Sequence, residues 1–122
     1  MCGISFYLTK DEAHEAKLHD SLTKISHRGP DSSCTYFHNN SDFFIGMGHN
    51  RLSIVDISPS GIQPMKYQDA RIIFNGEIYN YKEIRQDLIK LGHKFDTGTD
   101  TEVILKSYYE YGVECFHKLS GM

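Results

Sequence analysis

Apolar and polar residues alternate near the start of the chain. Ile4, Phe6 and Leu8 are separated by Ser5 and Tyr7, and this period of two predicts a β-strand. A strand here would hold the beginning of the chain rigidly, so the prediction bears on any chemistry located at the terminus.

A helix is predicted to follow this strand, from about residue 11 to residue 26. Three apolar residues recur at spacings of four and three and would share one helix face: Leu18, Leu22 and Ile25. Thr9 and Glu12 have the spacing of a capping box, in which each side chain bonds a backbone N–H at the helix start. The Gly-Pro pair at residues 29–30 would end the helix.

The middle of the chain is rich in β-forming residues. Apolar runs predict four strands, at residues 33–38, 43–50, 52–57 and 71–74. The polar sequence Asn-Asn-Ser-Asp at residues 39–42 predicts a hairpin turn between the first two of these strands. Proline and glycine between residues 59 and 64 indicate a loop.

Two helices are predicted in the last third of the chain. Each begins at a cap residue with a carboxylate three positions later: Asn80 with Glu83, and Thr99 with Glu102. Each has an apolar stripe, which is Tyr81, Ile84, Leu88 and Leu91 in the first helix and Val103, Ile104, Ser107, Tyr108 and Tyr111 in the second. Gly92 and Gly112 would end them. Strands in the middle with helices on both sides predict an α+β fold of packed layers.

Composition and charge narrow the class of protein. A chain of 122 residues that is 24% charged and 39% hydrophobic fits one soluble globular domain. A net charge of −3 without a basic block argues against nucleic acid as the partner. No apolar run is long enough to serve as a signal peptide or to span a membrane, so neither is expected.

The cysteines and histidines indicate neither a disulfide scaffold nor a zinc site. Cys2, Cys34 and Cys115 are an odd number without a Cys-x-x-Cys pair, which predicts a reducing, cytoplasmic compartment. The seven histidines lack the spacing that paired zinc ligands show.

Cys2 is the candidate nucleophile, provided that Met1 is removed. The residue would then carry both a thiol and a free α-amine. An α-amine has an unperturbed pKa of about 7.7–8.0, so it can accept a proton from a thiol, whose pKa is near about 8.5. One residue could thus supply nucleophile and base. The alternative is a buried structural cysteine on an ordinary first strand. A chain that kept Met1 would be catalytically silent, because the Cys2 nitrogen would be an amide.

Five short segments occur in an order that points to a known family: Met-Cys-Gly-Ile at 1–4, His-Arg-Gly-Pro-Asp-Ser at 27–32, Arg-Leu-Ser-Ile-Val-Asp at 51–56, Asn-Gly-Glu-Ile-Tyr-Asn at 75–80 and Thr-Gly-Thr-Asp-Thr-Glu at 97–102. With these segments the chain resembles, over nearly its whole length, the N-terminal glutaminase domain of glutamine-dependent asparagine synthetases. These are class II glutamine amidotransferases with the N-terminal-nucleophile hydrolase fold.

The resemblance implies an αββα sandwich of two antiparallel sheets, of which residues 1–122 would be an incomplete part. It implies glutamine as the substrate and a C-terminal synthetase domain in a longer parent protein. No cofactor is expected for the glutaminase part, and ATP and Mg²⁺ are expected only in the synthetase domain. Sheet edges left uncovered by the missing residues predict either a homo-oligomer that covers them or a compact remnant with incomplete strands.

The resemblance also assigns the groups that would read the charged ends of glutamine. Arg51 would bind the α-carboxylate, as a bidentate cation suits that group. Glu77 and Asp100 would bind the α-ammonium. By itself Arg51 could be a surface arginine at a strand end. Asp100 could instead stabilise a helix N-terminus, and the two roles can coexist.

The reaction implied by the resemblance is attack of the Cys2 thiolate on the side-chain amide. The oxyanion would be held by the Asn75 side chain and the Gly76 backbone N–H, although Asn-Gly alone most often marks a type I′ turn. Ile54 and Val55 would contribute backbone groups near the substrate. The family does not use a Cys–His pair here, so a structural role is expected for His27.

Two kinds of function are compatible with these residues. The first is an enzyme domain that hydrolyses glutamine and supplies ammonia for converting aspartate to asparagine, or for amidating another acceptor. The second is a truncated, non-catalytic domain that only self-associates or binds partners. The motifs favour the first for the parent protein, and the truncation favours the second for this chain.

Overall fold

The computed structural model describes residues 2–53 and 59–122. Within them lie five strands and three α-helices: β1 (Gly3–Thr9), α1 (Glu15–Lys24), β2 (Ser32–Asn39), β3 (Phe44–Arg51), β4 (Met65–Tyr67), β5 (Ala70–Ile72), α2 (Tyr81–Lys90) and α3 (Asp100–Tyr111). Short 3₁₀ turns cover Ser26–Arg28, Pro59–Gly61 and Gly112–His117. The chain divides into two compact units. Among the described residues, the N-terminal unit contains 2–53, 62–64 and 73–75, and the C-terminal unit contains 59–61, 65–72 and 76–122.

The N-terminal unit is built on an antiparallel sheet with the strand order β1-β3-β2. The central strand pairs along its whole length, so that Asn50 lies opposite Gly3 on one side and Ser33 on the other. The predicted hairpin turn is confirmed. The Asn40 side chain accepts hydrogen bonds from the backbone N–H groups of Asp42 and Phe43, at 2.8 and 3.0 Å.

Helix α1 packs on one face of this sheet through the predicted residues Leu18 and Leu22, which are buried. Leu22 lies so close to Gly48 that a Cβ there would come within 2.7 Å of its side chain. The Asn50 amide donates to the Leu22 carbonyl at 2.7 Å. These contacts fix the helix against the end of β3, directly before residues 51–53.

The predicted capping box at the start of α1 is wrong. The helix begins at Glu15 after His14, whose side chain makes no cap hydrogen bond. Thr9 is still paired with Phe44 in the sheet, and its hydroxyl accepts from the Asp11 N–H at 3.2 Å. Strand pairing therefore keeps Thr9 out of the helix, and its side chain makes a local turn instead.

The C-terminal unit has its core between α2 and α3, where Ile84, Leu88 and Val103 are buried together. Strands β4 and β5 form a separate two-stranded hairpin. The predicted strand at 71–74 begins and ends earlier than expected. The predicted strand at 52–57 does not include Leu52 or Ser53, and its remaining residues lie outside the described ranges.

The two predicted caps in this unit have different outcomes. Asn80 precedes α2 without capping it, because its side chain donates to the Lys118 carbonyl and accepts from the Ser120 N–H, both at 2.9 Å. The Thr99 cap of α3 is confirmed, with its hydroxyl accepting from the Glu102 N–H at 3.2 Å. Leu91, predicted on the apolar stripe of α2, is 55% exposed.

Helices combined with antiparallel sheets confirm the predicted α+β class, and this content agrees with an N-terminal-nucleophile hydrolase-like fold. In the described parts of the chain, no helix has the length and apolar character that a membrane span needs.

Candidate functional site

Cys2 lies just before β1, half-buried, with its sulfur against the segment that follows β3. The Leu52 N–H donates to the Cys2 Sγ at 3.4 Å, and the Leu52 carbonyl lies 3.7 Å from the same atom. A donor aimed at sulfur stabilises negative charge there. The fold therefore holds this thiol in a defined place beside residues 51–53.

The His-Arg-Gly-Pro-Asp turn ties these two segments together. Arg28 donates through Nε to the Cys2 carbonyl at 3.1 Å. Asp31 donates its N–H to the Arg51 carbonyl at 3.1 Å, and its carboxylate accepts from the Ser53 N–H at 2.7 Å. His27, which directly precedes Arg28 in the turn, is exposed. These contacts agree with a structural role for the turn.

Gly29 in this turn is required by close approach. A Cβ at this position would lie 2.2 Å from the Asn50 carbonyl oxygen, which no side chain can tolerate without moving the strand. The glycine therefore allows the turn to pack directly on the end of β3, next to Arg51.

Arg51 ends β3 and is only 8% exposed. The interpretation of Arg51 as an ordinary surface arginine is therefore wrong. Burying a guanidinium costs free energy unless anionic or polar groups surround it. The fold of this unit therefore has to supply polar surroundings for Arg51 at the strand end.

His49, two residues earlier, was not predicted as part of the site. It is 1% exposed, and neither ring nitrogen completes a hydrogen bond with a described residue. Burial lowers the pKa of His49 to about 4, with a smaller lowering from Arg51, although the nearby Phe74 carbonyl favours the protonated ring. The ring is therefore neutral at physiological pH, next to the chain segment that carries Asn75.

Asn75 belongs to the N-terminal unit, in the short segment 73–75. That segment is fixed by Gln63, whose side-chain oxygen accepts the Phe74 N–H at 2.6 Å. The Asn75 Oδ1 atom is buried and has no partner among the described residues. Buried polar atoms are nearly always satisfied, so this oxygen is expected to accept a hydrogen bond from a group outside the described residues.

In the C-terminal unit, the structure brings Asp100 to the residues beside Glu77. Asp100 is the first residue of α3 and is 7% exposed. Its Oδ2 atom accepts the Ile78 N–H at 3.0 Å. Asp100 therefore has a structural contact besides the helix N-terminus. This contact places its carboxylate against the backbone of the residue that follows Glu77. The Glu77 side chain itself is exposed.

The last residues of the chain fix the backbone of Glu77. Its N–H donates to the Met122 carbonyl at 2.9 Å, and its carbonyl accepts from the Met122 N–H at 3.0 Å. Gly121 packs so tightly that a Cβ would lie 2.1 Å from the Glu77 oxygen. The backbone of Glu77, directly after Gly76, is thus paired with the end of the chain.

The predicted site residues are distributed over both units. Cys2, Arg51 and Asn75 lie in the N-terminal unit, whereas Gly76, Glu77 and Asp100 lie in the C-terminal unit. Met1, Ile54 and Val55 lie outside the described residues. Among those described, no group of three or more histidine, cysteine, aspartate or glutamate side chains is arranged to hold a metal ion.

Sequence reasoning did not identify the roles of His49 and Leu52. The backbone of Leu52 contacts a residue fifty positions earlier, and no local pattern encodes such a contact. His49 carried one signal, since a histidine within an otherwise apolar strand pattern is costly to bury and needs an explanation.

Comparison with known proteins identifies relatives over the whole chain. Residues 1–122 match a family described as glutamine amidotransferase domain. The chain is 44% identical over 129 residues to asparagine synthetase [glutamine-hydrolyzing] 1 of Bacillus subtilis, with 100% of the chain and 20% of that protein covered. It is 37% identical over 139 residues to putative asparagine synthetase [glutamine-hydrolyzing] 2 of Methanocaldococcus jannaschii, covering 100% of the chain and 26% of the relative.

A relative with a different name is also similar. Amidase chry2 of Gibberella zeae is 36% identical over 135 residues, which is 99% of the chain and 20% of that protein. The chain thus spans 20–26% of the length of these curated relatives.

Proposed function

The chain belongs to the glutamine amidotransferase domain family, and on this premise we propose that it hydrolyses glutamine to glutamate and ammonia. The observation that carries the proposal is the family match over all 122 residues. Residues 1–122 would then act as one, partial, glutamine amidotransferase domain, and this reaction needs no cofactor.

The proposed nucleophile is Cys2 after removal of Met1. Its own α-amine takes the thiol proton, and the thiolate attacks the side-chain amide carbon of glutamine. Ammonia leaves with a proton returned by the amine, and water then hydrolyses the thioester to glutamate. Support comes from the Leu52 N–H, which lies 3.4 Å from the sulfur and stabilises negative charge on it.

The proposed oxyanion hole consists of the Asn75 side-chain amide and the Gly76 backbone N–H. The Asn75 side chain would donate through its Nδ2 amide, and the hydrogen bond from the Phe74 N–H to the Gln63 side chain fixes the backbone next to it. Loss of one such donor typically lowers the rate roughly 10²–10³-fold.

Recognition of free glutamine is assigned to three charged side chains. Arg51, 8% exposed at the end of β3, would bind the α-carboxylate. Glu77 and Asp100 would bind the α-ammonium, and Asp100 accepts a hydrogen bond from the N–H of Ile78, the residue after Glu77. Ile54 and Val55 would add backbone contacts. Burial of Arg51 and Asp100 strengthens their charge pairs, because water competes less for these two groups.

The parent protein is proposed to use the ammonia to make asparagine from aspartate, in a cytoplasmic, homo-oligomeric enzyme. Its C-terminal synthetase domain would bind ATP and Mg²⁺. The proposal draws on the printed names of the Bacillus subtilis and Methanocaldococcus jannaschii relatives. The similarity to a protein named amidase chry2 makes a different acceptor the main alternative.

The direct test is a glutaminase assay on the chain and on its longest natural form, with release of glutamate and ammonia measured separately. Stoichiometric release of both products is expected. Cys2→Ser should reduce the rate by several orders of magnitude without changing the circular dichroism spectrum. Glutamine hydrolysis that is undiminished in Cys2→Ser would refute the proposed nucleophile.

A second candidate function, non-catalytic self-association, is favoured by one observation. Ile4, Phe6 and Leu8 of β1 are 43, 57 and 60% exposed, and contiguous exposed apolar side chains often mark association surfaces. An associating chain without glutaminase activity in its longest form would support this function over the first.

A further inference from the structure

Helix α3 contains an ion pair that is buried on both sides. The Lys106 ammonium lies 2.8 Å from the Glu102 carboxylate, and the two side chains are only 3% and 6% exposed. Burying two charges costs more free energy than their attraction returns unless other hydrogen bonds satisfy them. The stability of such a pair therefore depends on the other contacts that its two charged groups make.

The Glu102 carboxylate also accepts hydrogen bonds from the loop before the helix. Its two oxygens accept the N–H groups of Asp96 and Thr97, at 2.9 and 2.7 Å, and the Thr97 hydroxyl at 2.8 Å. Burial alone would raise the pKa of Glu102, but Lys106 and these donors outweigh it and lower the pKa. The carboxylate is therefore an ionised anchor for this loop.

Lys106 is enclosed on its other sides as well. Its ammonium donates to the Lys94 carbonyl and lies 4.7 Å from the ring centroid of Phe95 and 4.9 Å from that of Tyr67. Cation–π contacts of this kind are strongest where water is excluded. Together the two charged residues fix the backbone from residue 94 to residue 97.

The fixed loop leads directly to Asp100. Thr97 accepts the Thr99 N–H at 3.1 Å, and Thr99 caps the helix through the Glu102 N–H. Asp100 then starts the helix and receives the Ile78 N–H at 3.0 Å. The first two hydrogen bonds connect the loop to the start of the helix, so displacement of the loop would displace the Asp100 carboxylate.

From this geometry we propose that Glu102 and Lys106 are positioning residues for the Asp100 carboxylate, and thereby set the selectivity of the site for substrates with an α-ammonium group. The inference rests on the proposed function, in which Asp100 contacts that ammonium. Neither residue touches the substrate in this proposal.

The test compares two ligands that differ only in the α-ammonium group. One is glutamine, and the other is glutaramate, which is glutamine without its α-amino group. For each variant of the longest natural form, the KM for glutamine and the inhibition constant of glutaramate are measured. In Lys106→Met the KM for glutamine should rise roughly 10- to 100-fold, since a displacement of about 1 Å can cost about 10²-fold. The glutaramate constant should change far less.

Matched variants separate positioning from general loss of structure. Lys24→Met breaks an exposed ion pair of the same i,i+4 type, in which Lys24 and Asp20 lie 2.6 Å apart, and should leave both constants unchanged. Lys106→Arg keeps the charge and should restore most of the affinity for glutamine. The double change Glu102→Gln with Lys106→Met leaves no unpaired buried charge, so it keeps the test open if the single variant does not fold.

Two results would overturn the inference. One is an equal rise of both constants in the folded variants, and the other is no rise in either. If the wild type does not hydrolyse glutamine, the proposed function is wrong. Hydrogen exchange then tests separately whether Glu102 and Lys106 position the Asp100 carboxylate. Protection of the Ile78 amide must then fall in Lys106→Met while that of Leu88, buried in α2, stays constant. Unchanged protection at Ile78 would refute it.

Discussion

Acidification is expected to destabilise the chain through His49. The ring is buried within the sheet of the N-terminal unit, and burial is the main cause that lowers its pKa from 6.5 to about 4. In the unfolded chain the same ring takes up a proton near its ordinary pKa of about 6.5. Between these two values only the unfolded state binds the proton, so the free energy of unfolding falls as the pH falls.

The size of this effect follows from the two pKa values. Each tenfold change in proton affinity is worth about 1.4 kcal/mol, so the lowering of the His49 pKa to about 4 corresponds to about 3 kcal/mol in full. We expect about 2 kcal/mol, because relaxation and water penetration reduce the cost of a buried charge in real proteins. The contribution is complete above pH 6.5 and is lost progressively down to pH 4.

Urea unfolding of the wild type and of His49→Leu at several pH values between 7.5 and 4 measures this contribution. The difference in the free energy of unfolding between the two proteins should change by about 2 kcal/mol over the range, to the disadvantage of the wild type at low pH. His38→Leu, which removes an exposed ring from the neighbouring strand, controls for loss of a histidine. Parallel curves for the wild type and His49→Leu would refute the reasoning.

Three further changes test other parts of the account. An electrophilic glutamine analogue should label the wild type once, at Cys2, as shown by peptide mass spectrometry, and labelling that persists in Cys2→Ala would exclude this nucleophile. Arg51→Ala should raise the KM for glutamine by a factor that corresponds to about 2–5 kcal/mol, while ammonia-dependent synthesis by the longest form is retained; equal loss of both activities would indicate misfolding. Gly29→Ala should lower the free energy of unfolding by about 1–3 kcal/mol, because its Cβ would lie 2.2 Å from the Asn50 oxygen, and wild-type stability in urea would contradict this.

The parts of the fold that could be predicted depend on periodic burial. The spacing of Leu18 and Leu22 identified the buried face of α1, and the spacing of Ile84 and Leu88 did the same for α2. The polar tip at residues 39–42 located the hairpin. Periodicity works here because each of these elements buries one continuous face against its neighbour.

The capping signals were less reliable, because the same residues can satisfy other partners. Thr9 fits a capping box but stays in the sheet, and Asn80 fits a cap but holds the residues at 118 and 120. Thr99 does cap its helix, while Glu102 three positions later binds the preceding loop and Lys106 instead of completing the box. Local spacing cannot decide between a local and a distant partner.

In the candidate site, too, local sequence motifs were predictable and long-range contacts were not. The motifs identified the candidate residues at 2, 51, 75, 77 and 100, and the structure fixes the surroundings of each of these. The Arg28 and Leu52 contacts to Cys2 join residues 26 and 50 positions apart, and they depend on how β3 and the preceding turn are packed. Only the folded chain contains that information.

The most direct test of the central claim is the glutaminase rate of two forms of the same protein, one with Met1 removed and one in which its removal is blocked. If the Cys2 α-amine is the base, the processed form hydrolyses glutamine and the blocked form, in which this nitrogen is an amide, does not. Comparable rates for both forms would contradict the account and would make His27 the base to test next.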